Sequence, residues 1–335
     1  MEQSGPAPKA PTAEVGVLED RVAVVTGAGR GIGRGEAIRL ASYGARVVVN
    51  DLGVATDGAA TEETPAEEVV RTITEAGGEA IPDAHDISTR DGGEALVAGA
   101  IERFGGLDIV VNNAGIGRPR MVFNLTEDEW DDVIRVHLKG TFCVSAPACR
   151  WWRAEHKAGR GGYGRLVNTA TGLLLLGGAG QSNYVAAKGG IAAFTVAVAT
   201  EMEPYGVTAN AVMPTARTRL ASIGWAMDEI AEEETAFDPT DPDHVAQFVS
   251  YLASPAAGWI SGQCFQVRGG IIQHVRGWEV DAQYERHDRG WTAAEHGHET
   301  PRLFGAGTKP SQPPPKEWQD QYHERRDATP SRGAS

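Results

Sequence analysis

A glycine-rich turn between an apolar strand and a helix constrains this chain more than any other feature. The strand is Val22-Ala23-Val24-Val25, and the turn reads Thr26-Gly27-Ala28-Gly29-Arg30-Gly31-Ile32-Gly33. Each glycine has a mechanical reading. Gly27 permits the tight turn, Gly31 lets the backbone approach a pyrophosphate, and Gly33 lets helix and strand pack closely. The helix N-terminus then offers amide hydrogens and a positive dipole to the phosphates. A nucleotide is the expected ligand.

The rest of the chain continues the alternation. Val47-Val48-Val49, Ile109-Val110-Val111, Leu166-Val167-Asn168 and Val207-Thr208-Ala209 read as buried parallel strands. Amphipathic stretches such as 36–43 and 66–76 lie between them. The expected fold class is α/β: a single Rossmann-type doubly wound parallel sheet with helices on both faces, plus a polar C-terminal extension. We expect a flexible N-terminal tail over 1–17 and a dinucleotide-binding catalytic domain over 18–272. A helical lid is expected at about 215–243, with the extension over 273–335. Because the extension carries Trp278, Trp291 and Trp318, a packed arm and disorder both remain open for it.

Composition narrows the partners. Lys plus Arg is 31 and Asp plus Glu is 45, a net charge of −14. Such a surface disfavours nucleic acid and anionic membranes, so a small-molecule substrate is expected. Cys143, Cys149 and Cys264 are too few for a disulfide scaffold and read as buried thiols in a reducing compartment. The polar residues 1–14 lack a signal-type apolar segment, and a cytoplasmic location is expected. No run of about 18 apolar residues occurs, so no membrane span is expected. No metal site is expected.

Asp51 closes the second strand, about twenty residues beyond the turn. A carboxylate there accepts hydrogen bonds from ribose hydroxyls and repels a 2′-phosphate, which favours NAD over NADP. Arg30 is the counter-signal, since it can reach such a phosphate, and a plain loop-capping role for Asp51 stays open. Tyr184 and Lys188, four residues apart, share a helix face. A phenol with a pKa near 10 is a poor base at neutral pH, and a nearby ammonium favours its phenolate.

Over residues 18 to about 272 the chain resembles the short-chain dehydrogenase/reductase family. The matching pieces are the glycine turn, Asn112-Asn113-Ala114-Gly115, Tyr184-Val185-Ala186-Ala187-Lys188 and Asn210-Ala211-Val212-Met213-Pro214, in family order and spacing. The resemblance implies that Tyr184 is the general acid/base and that Lys188 binds the nicotinamide ribose. It also places the stretch from Asn113 through Ala114 to Gly115 along the cofactor cleft. Asp86 and Ile87 would contact the adenine, and Pro214 and Thr218 the carboxamide region. Two positions depart from the pattern: Thr171 replaces the usual serine, and His137 replaces the usual relay asparagine. His137 is read either as a relay member or as a core histidine.

The stretches around Asp51, His137 and Tyr184 are similar to the hydroxyacyl-CoA dehydrogenase part of peroxisomal multifunctional enzyme type 2 and its bacterial relatives. That implies NAD-linked oxidation of a secondary alcohol, with a 3-hydroxyacyl-CoA or a hydroxysteroid or terpenoid alcohol as substrate. Arg118, Arg120, Arg217 and Arg219 are the candidate cations for CoA phosphates. Leu173-Leu174-Leu175-Leu176, Ile223, Trp225 and Met227 are the candidates for an apolar cleft. The resemblance further implies a homo-oligomer, tetramer or dimer, packed through helices starting near Thr126 and Tyr184. A non-catalytic NAD-binding sensor on the same fold is the alternative; it would be favoured by loss of Tyr184 or Lys188, and both are present.

Overall fold

The structure is a computed structural model that describes residues 17–53, 64–217, 237–277, 283–285, 287, 291–300 and 303. The chain divides into two compact units: the chain to Gly172 together with Ala179–Val275, and Leu173–Gly178 together with the chain from Arg276 onward.

In the first unit, strands and helices alternate. The strands are β1 (Val22–Thr26), β2 (Arg46–Asn50), β3 (Glu79–Asp83), β4 (Ile109–Asn112), β5 (Gly164–Thr169), β6 (Val207–Pro214), β7 (Cys264–Arg268) and β8 (Ile271–Val275). Among the described residues they form one sheet in the order β3-β2-β1-β4-β5-β6-β7-β8. The helices are α1 (Gly31–Ser42), α2 (Pro65–Glu75), α3 (Arg90–Phe104), α4 (Glu127–Val133), α5 (Gly140–Lys157), α7 (Ser182–Met202) and α8 (Pro242–Ala253). The order reverses between β1 and β4, a switch point that opens a crevice beyond the carboxyl ends of the strands.

Successive strand residues face opposite sides, so one sheet feeds two cores. Val25, Val49 and Val111 pack with Leu40, Val69, Val245 and Leu252 from α1, α2 and α8. Val24, Val48, Val110 and Leu166 pack with Leu96, Val144, Trp152 and Met202 from α3, α5 and α7. The doubly wound fold is as expected, with one correction: β8 runs antiparallel to β7. The Gly269-Gly270 link between them holds Gly269 at φ +51°. Two residues close a hairpin, whereas a parallel crossover needs a dozen or more. β8 also straddles the expected boundary at 272.

The segment Ser182–Tyr205 is long and apolar enough by composition to cross a bilayer, a test that a buried core helix also passes. Its Ile191, Val198, Ala199 and Met202 are buried in this unit. Of the cysteines, Cys143 is buried, while Cys149 and Cys264 are only partly so.

The second unit holds α6 (Leu173–Leu176) and α9 (Ala293–Glu299). A Thr292–Glu295 capping box starts α9. The Tyr284 hydroxyl lies 2.8 Å from His296 Nδ1, and Trp291 meets the Tyr284 ring edge-on at 5.0 Å. Part of the extension therefore carries an aromatic cluster of its own. Trp278, Trp318 and the 218–236 stretch of the expected lid lie outside the described residues; that stretch includes Thr218, Arg219, Ile223, Trp225 and Met227.

Candidate active site

The glycine turn is locked to the end of β4. The Thr26 hydroxyl accepts from the amides of Asn113 (3.1 Å) and Ala114 (3.2 Å). The Asn113 side-chain amide in turn donates to the carbonyls of Thr26 (3.0 Å) and Gly27 (3.1 Å). Gly27 and Gly31 hold φ of +62° and +56°, a region that disfavours side chains. A Cβ on Gly33 would lie 2.4 Å from both the Asn113 amide nitrogen and the Gly27 carbonyl oxygen.

At the N-cap of α1, Arg30 makes no side-chain cap, whereas Thr64, Thr89 and Thr126 cap α2, α3 and α4. The first-turn amides of α1, around Gly31 and Ile32, are left for an outside acceptor. Asp51 flanks the turn. Its Oδ2 accepts from the Gly29 amide (3.0 Å) and its Oδ1 from the Gly53 amide (2.9 Å). The carboxylate therefore also shapes the loop, as the plainer reading had it. Asp86 and Ile87 follow β3. Burial acts to raise the Asp86 pKa, but the Ser88 hydroxyl and amide, with Arg135 and Lys139, hold it below the usual range.

Four buried or half-buried polar side chains gather at the ends of β4 and β5 and the start of α7. Thr171 hydrogen-bonds the Tyr184 hydroxyl. Lys188 is sealed from solvent, with Nζ donating to the Thr169 carbonyl at 2.6 Å. It stands 5.8 Å from the centre of the Tyr184 ring. Burial pushes the Tyr184 phenol up to about 12 despite the Thr171 bond, and pushes Lys188 down to about 7 against the pull of Glu36. This differs from the expected lowering of the phenol by its lysine: Lys188 is aimed at Thr169, and desolvation outweighs the hydroxyl bond.

His137 sits inside a π turn, Ile134–Lys139, between α4 and α5, an irregularity frequent at functional sites. Its ring meets Tyr184 edge-on, centroids 5.3 Å apart. Nε2 lies 3.0 Å from the Ile116 amide and 2.8 Å from the Ile116 carbonyl, while Nδ1 is buried without a partner. A Cβ on Gly115 would strike this ring at 2.3 Å. Burial, then Lys188, pushes the imidazole down to about 3.

A folded pKa below the unfolded one leaves stability intact above about pH 6.5 and removes it as pH falls toward 3. By about pH 5 the penalty is about 2 kcal/mol. The His137→Asn protein is expected to narrow the Tm difference between neutral pH and pH 5 by about 5 °C. An unchanged difference in thermal scans would show that the ring is not held neutral.

The short chain dehydrogenase family matches residues 21–221 of this chain. The chain belongs to that family. This short-chain dehydrogenase is 43% identical over 298 residues to hydroxyacyl-CoA dehydrogenase ChsB1 of Mycobacterium tuberculosis, covering 88% of this chain and 92% of that protein. It is 36% identical over 260 residues to the peroxisomal multifunctional enzyme type 2 of Drosophila melanogaster, covering 78% of this chain but 40% of that longer protein. A solved short chain dehydrogenase from Mycobacterium avium superposes with a TM-score of 0.78 at 43% identity, covering 88% of this chain and 98% of that one.

The family and fold hold a nicotinamide cofactor, and the residues present suit one. The uncapped α1 amides, the side-chain-free turn and the Asp51 carboxylate are what a dinucleotide's phosphates and ribose require. Pro214 ends β6. Of the expected contacts, Thr218 alone lies outside the described residues.

Sequence reasoning in this short-chain dehydrogenase passed over Asn183. Fully buried, it donates through Nδ2 to the carbonyls of Arg118 (3.1 Å) and Glu129 (3.2 Å) and accepts the Tyr184 amide at 2.8 Å. It clamps the start of α7 to the loop after β4 and to α4. The available signal was its place next to the tyrosine, at a helix start where amide side chains find backbone partners.

Proposed function

We propose that this oxidoreductase is an NAD-dependent dehydrogenase that oxidises a 3-hydroxyacyl-CoA to the 3-oxo ester, and runs in reverse as a ketone reductase. The observation that carries the chemistry is the Thr171–Tyr184 hydroxyl pair, with Lys188 buried one helical turn further along α7. The relative that covers 88% of the chain supports the substrate class.

In this reading the alcohol oxygen is held by the Thr171 hydroxyl while Tyr184 takes its proton. The nicotinamide, when bound, accepts the hydride from the carbinol carbon. Lys188, with its Nζ turned to the Thr169 carbonyl, anchors the ribose. Asn113, Ala114 and Gly115 line the cofactor side, with Asp86 and Ile87 at the adenine end. His137 fixes the Ile116 backbone behind Tyr184 and takes the place of the family's relay asparagine. The expected homo-oligomer and cytoplasmic location stand as part of the same proposal.

For CoA, Arg118 pairs with Asp132, Arg120 with Glu129 and Arg217 with Asp238. Exposed pairs of this kind are screened by solvent and weak, so a phosphate can take over the arginine at little cost. The cofactor preference rests on Asp51. Placing a 2′-phosphate beside a carboxylate held by two amides sets like charges together.

The test is turnover of 3-hydroxyacyl-CoA esters, hydroxysteroids and small secondary alcohols with NAD and with NADP. NAD with the CoA esters is expected to give the highest kcat/KM. In Asp51→Ala the NAD:NADP preference is expected to shrink by about tenfold or more. NADP preference in the unaltered enzyme, or no turnover of any alcohol, would overturn the proposal; NAD binding without turnover would favour the sensor.

A further inference from the structure

The last residues of β1, β2 and β3 share one register row: Thr26 lies opposite Asn50, and Asn50 opposite Asp83. Asn50, in the middle of the row, is 2% exposed. Its side-chain amide donates to Asp83 Oδ1 at 2.6 Å and to the His85 carbonyl at 3.0 Å. Its backbone carbonyl accepts from the Ala28 amide, inside the glycine turn, at 2.9 Å. The next residue, Asp51, donates its own amide to the Asp83 carbonyl at 3.0 Å.

These bonds tie together three walls of one cleft. Ala28 belongs to the turn read as the phosphate site, Asp51 is the carboxylate read as the ribose site, and His85 leads directly into Asp86 and Ile87 at the adenine end. Among the described residues β3 is the outermost strand on this side of the sheet, so its carboxyl end is steadied from β2 alone. Asp83 is also held by the loop it starts: Oδ1 accepts from the His85 amide at 3.0 Å, and Oδ2 lies 2.7 Å from His85 Nδ1. Asp51 has little room on the turn side. A Cβ on Gly29 would lie 2.8 Å from Asp51 Oδ2 and 2.6 Å from Pro65 Cβ. A buried amide that spends both hydrogens on a neighbouring strand end and loop does more than fill space.

We propose that Asn50 is a positioning residue for cofactor choice: it holds Asp51 where a 2′-hydroxyl is accepted and a 2′-phosphate is refused. The proposal rests on the reading of Asp51 as the ribose carboxylate. A carboxylate refuses a phosphate only while it is kept beside it. One free to swing into water gives up the discrimination, because solvent screens exposed charges. Here the backbone of Asp51 hangs on Asp83, and the Asn50 side chain clamps Asp83 and the loop after it.

The experiment is calorimetric titration of the full-length protein with NAD, NADP and ADP-ribose, with a thermal scan of each variant. Asn50→Leu keeps the shape and removes both donors. In it the NAD Kd is expected to rise about tenfold and the NADP Kd about twofold or less, so the preference shrinks about fivefold. ADP-ribose is expected to weaken in step with NAD. Asp83→Ala is expected to move the preference the same way, and the double variant to add little to either single one. Equal losses for NAD and NADP are what a packing role alone would give, and they overturn the proposal whatever the thermal scan shows. An unchanged ADP-ribose Kd beside a weakened NAD would put the effect at the nicotinamide end and overturn it too. If Asn50→Leu does not fold, Asp83→Ala decides by the same measure. Asp51→Ala separates the two levels. An unchanged preference there removes the reading of Asp51 and the proposal with it, whereas a preference lost in Asp51→Ala but kept in Asn50→Leu sinks the proposal alone.

Discussion

Tyr184→Phe is expected to bind dinucleotide normally and to lose about 10³-fold in kcat, the range for removing a general acid/base. The change deletes one hydroxyl. The ring keeps its edge contact with His137, and Thr171 loses one partner. Because the clasp of Thr26, Asn113 and the glycine turn is untouched, the dinucleotide Kd is expected to stay within about twofold. Stopped-flow turnover with fluorescence titration of the cofactor reads both quantities. A variant within about tenfold of wild type would show that the proton goes elsewhere.

Gly33→Val is expected to be nearly as severe for the opposite reason: binding fails while the catalytic groups stay intact. A Cβ at this position would sit 2.4 Å from a backbone oxygen and 2.4 Å from the Asn113 amide nitrogen. The oxygen is backbone and the side-chain nitrogen is held by two backbone carbonyls, so α1 must shift. That shift breaks the Asn113 bonds to Thr26 and Gly27 and moves the first-turn amides. Overpacking of this kind costs about 1–3 kcal/mol in stability. Dinucleotide affinity is expected to fall by about 100-fold or more, equivalent to about 2.7 kcal/mol. Calorimetric titration checks the affinity and a thermal scan the stability; near-normal binding would mean that this glycine is not what brings helix and strand together.

The parts legible in the sequence are those set by short-range rules. The glycine turn, the both-sided apolar strands and the Tyr184–Lys188 spacing each follow from local geometry, and the sheet order agrees. The antiparallel β8 was hidden because Ile271-Ile272-Gln273 has no strong strand pattern and its partner is fixed by a two-residue turn. Charge states were not legible. Tyr184 and Lys188 share the start of α7, but the balance between burial and attraction depends on how deeply each group lies. The clamp by Asn183 was harder to read because two of its three partners lie 54 and 65 residues away.

The Asn183 clamp has a consequence for how such an enzyme chooses its substrate. One amide joins the loop bearing Arg118 to the turn that carries Tyr184. Whatever tugs on that loop from a distance is transmitted to the phenol as a change of aim. Grip on the remote end of a substrate and speed at its reacting end are therefore mechanically geared, and selectivity in this architecture should be felt as rate rather than as tightness.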